Sequence, residues 1–222
     1  MTICNRKKLF ILGILLICVV SFSIGFAAFS TTLNISSSAY VSPSSDDFKL
    51  QFVGVAGDDR VPVETTTTVG STDGKISSDG LSISGMNVVL SKPGDHVAYT
   101  VLVKNTGKYD AYVLQFKMSK IGESAAKFKC TPTLENGISD SLLEAACNSI
   151  NLNYGVYDVE TGESLLFDNN KADGLKIPVG EAIRLSISYR YNSAGVYADG
   201  DFNVEMGTMS INFSTVYPGD AN

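Results

Sequence analysis

The chain predicts an all-β fold: an antiparallel β-sandwich, Ig-like or jelly-roll-like, with one short helical insertion, preceded by an N-terminal transmembrane or signal helix. Three observations carry this. Short apolar or alternating runs recur along residues 46–222, each closed by turn residues. Helical signals are confined to one stretch of that region. A basic triplet, Arg6, Lys7 and Lys8, precedes 21 uncharged residues from Leu9 to Phe29.

The N-terminal segment, residues 1–29, reads as a signal peptide or a membrane anchor. As a helix, Leu9 to Phe29 would span about 31 Å, against roughly 30 Å of bilayer hydrocarbon. The basic triplet should stay cytoplasmic and place the rest outside, so the expected location is extracytoplasmic. Gly25-Phe26-Ala27 supplies small residues where a signal peptidase reads, so a cut between Ala27 and Ala28 would release the chain, and without it the helix is an anchor. Residues 30–45 are then a linker or an N-terminal strand, and 46–222 form the exported domain.

Within that domain, Phe48 to Phe52 alternates with period two, as a half-buried strand should. Leu81 to Leu90, Val97 to Val103, Ala111 to Met118, Leu152 to Val159, Ile183 to Tyr191 and Phe202 to Tyr217 follow, the last long enough to break near Gly207. Pro93-Gly94-Asp95 and Asn105-Thr106-Gly107 bracket one strand, and Thr161-Gly162 tips a hairpin between Val156–Val159 and Leu165–Phe167. Register predicts that Val97, Tyr99, Val101 and Val103 face inward together. Ser141 stands three residues before Glu144, the capping-box spacing, and opens a short helix ending near Cys147.

Composition excludes some functions. All 23 acidic residues follow the apolar segment and three of the 17 basic ones precede it, so the remainder carries 14 basic groups and a net charge of −9. Such a field repels nucleic acid and anionic lipid, and no nucleic-acid partner is expected.

Cys4 and Cys18 fall in or before the apolar segment, leaving Cys130 and Cys147 in the domain. In an oxidising compartment these most simply form one disulfide, contributing about 3 kcal/mol in the chain-entropy picture. Two buried free thiols are the alternative. A metal site is weaker, because His96 is the only histidine and no Cys-x-x-Cys spacing occurs.

The search for chemistry yields little. A triad has one candidate centre, His96, directly after a turn where an exposed strand start is the simpler reading. The pairs Asp46-Asp47, Asp58-Asp59 and Asp199-Gly200-Asp201 sit in turn-like stretches. Asp199 and Asp201 could contribute to a calcium site but lack the longer EF-hand spacing. No phosphate loop is present. With no Trp in the chain, a glycan-binding face would have to be built on tyrosines. Tyr189 and Tyr191 share a strand face, and Tyr109 and Tyr112 flank a turn, but core packing explains them as well. No enzyme, cofactor or metal is expected.

Two stretches carry a resemblance. Ile24 to Ser30, IGFAAFS, resembles the signal region of the TasA/camelysin family of Gram-positive surface and biofilm-matrix proteins. Lys92-Pro93-Gly94-Asp95, followed by Tyr99 to Gly107 and Asp110-Ala111, is similar to the core shared by that family and many Ig-like bacterial wall domains. The resemblance implies a cell-surface or matrix protein, structural or adhesive, that can polymerise into fibres. Its expected partners are copies of itself or other surface components. The alternative is a module binding glycan or another protein. Ala28 to Val41 is β-prone and adjacent to the cut, so it is a candidate intermolecular strand, the other readings being a stalk or a strand of its own sandwich.

Overall fold

The computed structural model describes residues 30–35, 47–67, 70–118, 128–133, 138–165, 174–206 and 209–217. In chain order the strands begin with β1 (Ser30–Ile35), β2 (Leu50–Val53), β3 (Arg60–Val61), β4 (Val63–Thr65) and β5 (Gly74–Ile76). Next come β6 (Ser82–Ser84), β7 (Val88–Leu90), β8 (His96–Asn105), β9 (Ala111–Met118) and β10 (Phe128–Pro132). After helix α1 (Asp140–Asn148) follow β11 (Ile150–Asp158), β12 (Lys176–Ile177), β13 (Ala182–Tyr191), β14 (Phe202–Met206) and β15 (Met209–Ser214).

These strands form three sheets among the described residues. Seven run in the order β12-β9-β15-β1-β6-β5-β3, three as β10-β14-β7, and five-stranded pairing is built on β11-β13-β8-β2 with β4 also on β8. Buried residues of all three belong to one hydrophobic core. The all-β expectation therefore holds at the level of a largely β-stranded domain. The pairing is not purely antiparallel: β1 runs antiparallel to β15 but parallel to β6, through Asn34↔Ser82 and Ile35↔Ile83.

The expectation of a membrane-spanning helix is not upheld. Among the described residues no helix is long and apolar enough to cross a membrane. Helix α1 has nine residues, about 14 Å of rise where a span needs about 30 Å. The segment Leu9 to Phe29 and the cut between Ala27 and Ala28 lie outside the described residues, so the anchored or exported location drawn from them is withdrawn.

The centre of the fold is the pair β8–β13, whose alternation fits the pleat. Val97, Tyr99, Val101 and Val103 are all buried, opposite Tyr189, Ile187, Leu185 and Ile183 of β13. Directly opposed residues share a face, so eight side chains enter the core as four cross-strand pairs. A one-residue slip would turn all of them to the other side. Burying each aliphatic of this size contributes about 1.5–3 kcal/mol before entropy is counted.

Several elements differ locally from expectation. The run Leu81 to Leu90 is two strands in different sheets, because Gly85 at φ 75° takes a left-handed turn between β6 and β7. Phe202 to Tyr217, by contrast, divides as expected near Gly207: β14 ends at Met206 and β15 begins at Met209, in different sheets. The helix N-cap is Ser139, two residues before the expected Ser141, and its hydroxyl accepts from the Leu142 amide at 3.4 Å. Both serines precede the same apolar turn, and only the backbone at Ser139 is extended there.

Candidate functional site

Three features were open to a functional reading: the cysteines, the polar turn residues and the tyrosines. Cys130 lies on β10 and Cys147 near the end of α1, and they are bonded, with Sγ–Sγ 2.04 Å and Cα–Cα 5.9 Å. The bond clamps α1 onto β10. Leu143, Ala146 and Cys147 form the buried face of the helix. A groove of about 220 Å³ runs along the clamp, between Phe128 and Leu143, with Asp140 and Glu144 at its rim.

His96 opens β8 opposite Arg190 of β13. Its backbone amide donates to Thr66 Oγ1 at 2.9 Å, and Thr66 returns a bond to its carbonyl, so this position is a strand junction. The residue across from it is a cation, where a histidine base needs an orienting acceptor.

The carboxylates pair with cations. Asp47 meets Lys108 at 2.5 Å, Asp58 meets Arg60 at 2.9 Å, and Asp59 meets Lys75 at 3.6 Å. An open cleft of about 520 Å³ lies beside Asp58 and Asp59, floored by Phe52 and Ile76. The Arg60 guanidinium, by its hydrogen bond, holds the Asp58 carboxyl below its ordinary value. A glycosidase acid needs the opposite shift. Asp46 lies outside the described residues.

Asp199 is exposed in a left-handed backbone, φ 58°, which aspartate tolerates better than most residues. The Asp201 carbonyl accepts from the amide and hydroxyl of Thr133. Among the described residues no three His, Cys, Asp or Glu side chains are grouped to hold a metal ion.

The tyrosines divide sharply. Tyr99, Tyr189 and Tyr191 are core residues, and burial pushes all three phenols up from their ordinary value. The Tyr99 hydroxyl donates to the carbonyls of Thr72 at 3.0 Å and Asn87 at 2.8 Å. Tyr109 and Tyr217 are exposed. Tyr217 stands edge-on to Tyr112, ring centroids 5.7 Å apart, and Tyr112 pairs with Lys176 of the edge strand β12. The Lys176 ammonium lies 2.6 Å from Asp110, whose other oxygen accepts from the Val179 amide. The Asp110 carboxyl is held below its ordinary value, first by that bond to Lys176.

Sequence reasoning flagged Tyr109 and Tyr112 but missed Tyr217, which reaches Tyr112 only through the β9–β15 pairing and the turn beyond it. It also missed two buried polar residues that set the ends of β8. Asp95 Oδ2 accepts from the amides of Ser91 and Lys92, both at 3.0 Å, and Asn105 serves the other end. The signal was present in the two turn motifs, whose polar residues were read only as turn chemistry.

The fold and these features define a disulfide-linked β-domain built on three sheets around one core. Compared with protein-family models, with curated proteins and with solved structures, the chain matches none.

Proposed function

We propose that the protein is a structural or adhesive component that assembles with copies of itself, of the matrix-forming kind its resemblance to the TasA/camelysin family implies. The observation that carries this is the place of β1. Ser30–Ile35 pairs along six residues with β15 and along two with β6, filling a slot inside the seven-stranded sheet. Removing β1 would leave two strand edges facing each other, and open edges are templates for another chain's strand. The same strand from a second copy would satisfy the same ladder. Repeated head to tail, this gives a filament and not a closed dimer.

The role is non-catalytic. Cys130 and Cys147 are bonded to each other, which removes both as nucleophiles, and a covalent link across a helix suits a load-bearing domain. Such bonds persist in oxidising surroundings.

The test compares protein beginning at Ala28 with protein beginning at Ser42, by light scattering and electron microscopy across a concentration series. The longer form should grow into assemblies, and the shorter should not extend them. Equal behaviour of the two forms would remove β1 from any assembly role.

A further inference from the structure

We infer that Asp199–Gly200 is a site of spontaneous backbone modification, where aspartate converts to isoaspartate through a cyclic imide. The sequence has four Asp-Gly steps, at Asp73, Asp79, Asp173 and Asp199, and the first, second and fourth fall among the described residues. Such a step is chemically vulnerable because glycine has no side chain to shield its amide nitrogen from the neighbouring carboxyl. Whether it reacts depends on whether the fold leaves both groups free to meet.

The three described steps differ sharply in this respect. Asp73 Oδ1 accepts from the Val63 amide at 2.9 Å, and Gly74 is a buried residue of β5 paired with Val61. Asp79 is held more tightly. Its Oδ1 accepts from the Ser77 hydroxyl at 2.5 Å and the Leu81 amide at 3.0 Å, while the Gly80 amide donates to the Ser77 carbonyl at 2.9 Å. Electrophile and nucleophile are both committed there. At the third step neither is: among the described residues, no hydrogen bond or ion pair holds the Asp199 carboxylate or the Gly200 amide. Asp199 is exposed, and among the described residues it alone combines a side chain with a positive φ, 58°. That backbone is imposed from both sides. Ala198 and Phe202 are fully buried, and the Asp201 carbonyl accepts from the amide and hydroxyl of Thr133.

The conversion balances with water as its only co-reactant. The Gly200 nitrogen attacks Asp199 Cγ, the N–Cγ bond forms, and one carboxyl oxygen leaves as water with the carboxyl and amide protons. Water then adds to the main-chain carbonyl carbon of Asp199 and breaks its bond to nitrogen, so the chain continues through Cγ. The product keeps the mass and charge of the original but carries one extra methylene in the backbone between Ala198 and β14.

The test is incubation of the full chain at neutral pH in water enriched in heavy oxygen, because each passage through the imide leaves one heavy oxygen in the product. Trypsin cuts after Arg60, Lys75 and Arg190, which puts the three steps in different peptides. Electron-transfer fragmentation then reports isoaspartate at each. Asp199 should exceed Asp73 and Asp79 by about tenfold or more, since the other two must first break hydrogen bonds. In urea the three should react at similar rates, which assigns the native difference to the fold and not to local sequence. Gly200→Ala should slow the reaction at Asp199 severalfold, because a Cβ shields the nitrogen. If that variant does not fold, the comparison of native with urea-unfolded chain carries the test. Reaction at Asp73 or Asp79 as fast as at Asp199 in the native chain, no heavy oxygen at Asp199, the native ranking persisting in urea, or an unchanged rate in folded Gly200→Ala would each overturn the assignment.

Discussion

The side-chain amide of Asn105, at the end of β8, donates at 2.9 Å to the carbonyl of Ile177 in β12, a residue 72 positions further along the chain. The same amide reaches the Tyr109 carbonyl at 2.8 Å, and its oxygen accepts from the Gly107 amide at 3.1 Å. One fully buried side chain thus joins two sheets and closes a turn. Gly107 completes the lock, because a Cβ there would come within 2.6 Å of the Lys49 amide nitrogen. Asn105→Ala leaves two carbonyls and an amide without this partner. It should cost about 2–4 kcal/mol in urea unfolding. Asn105→Asp should cost no less, since a carboxylate has no donors for the two carbonyls. A loss under 1 kcal/mol for both would show that water or backbone rearrangement replaces the amide.

Asn105 also shows what could be read in advance. The Asn-Thr-Gly turn was legible because turn chemistry is local. So was the inward face of β8, because period two survives in any sheet, and so was the Thr161-Gly162 hairpin, where Leu165 donates to Val156 at 2.8 Å. Which strands share a sheet was not legible. The parallel contact of β1 with β6 and the separation of β14 from β15 depend on residues far apart in sequence. The Tyr112–Tyr217 contact was half legible for the same reason: Tyr112 sits beside a readable turn, whereas Tyr217 arrives from the far end of the chain.

The register of β8 makes a paired prediction. Val101 is buried opposite Leu185, whereas Leu102 is only partly covered, opposite Arg184. Val101→Ala should lower stability by about 1–3 kcal/mol through lost burial and a residual cavity. Leu102→Ala should lower it by distinctly less. Equal effects, measured by denaturant midpoint at constant m-value, would mean that both faces of β8 are covered to the same degree.

The disulfide should matter mostly through α1. Replacing both cysteines by serine should reduce stability by about 3 kcal/mol. Hydrogen exchange should accelerate first in α1 and β10, the elements the bond joins, and last in β8 and β13. If exchange rises uniformly, the bond stabilises the domain by restricting the unfolded chain and not by holding the helix in place.

Acid should destabilise the domain through hydrogen-bonded surface carboxylates. Asp58, Asp79, Asp110 and Asp158 are all held below their ordinary value, led respectively by hydrogen bonds from Arg60, the Ser77 hydroxyl, Lys176 and the Thr161 amide. A lowered folded-state value contributes stability above the unfolded value, about 4, and the contribution is lost as pH falls through the folded one. Thermal midpoints should therefore decline below about pH 4. The decline should be shallower in Asp158→Asn, whose amide oxygen can still accept from Thr161. A midpoint that is flat down to pH 2 would show that these bonds are equally available in the unfolded chain.

Alkali should act from inside the core. Burial raises the phenols of Tyr99, Tyr189 and Tyr191, because a phenolate placed among Val97, Leu185 and Ile187 would lose its hydration without gaining a cation. For a group whose folded value is raised, the contribution to stability is complete below the unfolded value, about 10, and is lost as pH rises through the folded one. The unfolded chain releases these protons first, so the domain should open before its core phenols ionise. Tyrosinate absorbance should thus rise in two phases, the second coinciding with loss of the β-sheet circular dichroism. Tyr99→Phe removes one of the three and should make the alkaline loss of stability shallower. At neutral pH it should cost about 1 kcal/mol, because the Tyr99 hydroxyl no longer serves the Thr72 and Asn87 carbonyls. A single absorbance phase completed while the dichroism stays intact would show that the core phenols reach solvent in the folded protein, and the packing of β8 against β13 described above would then be wrong.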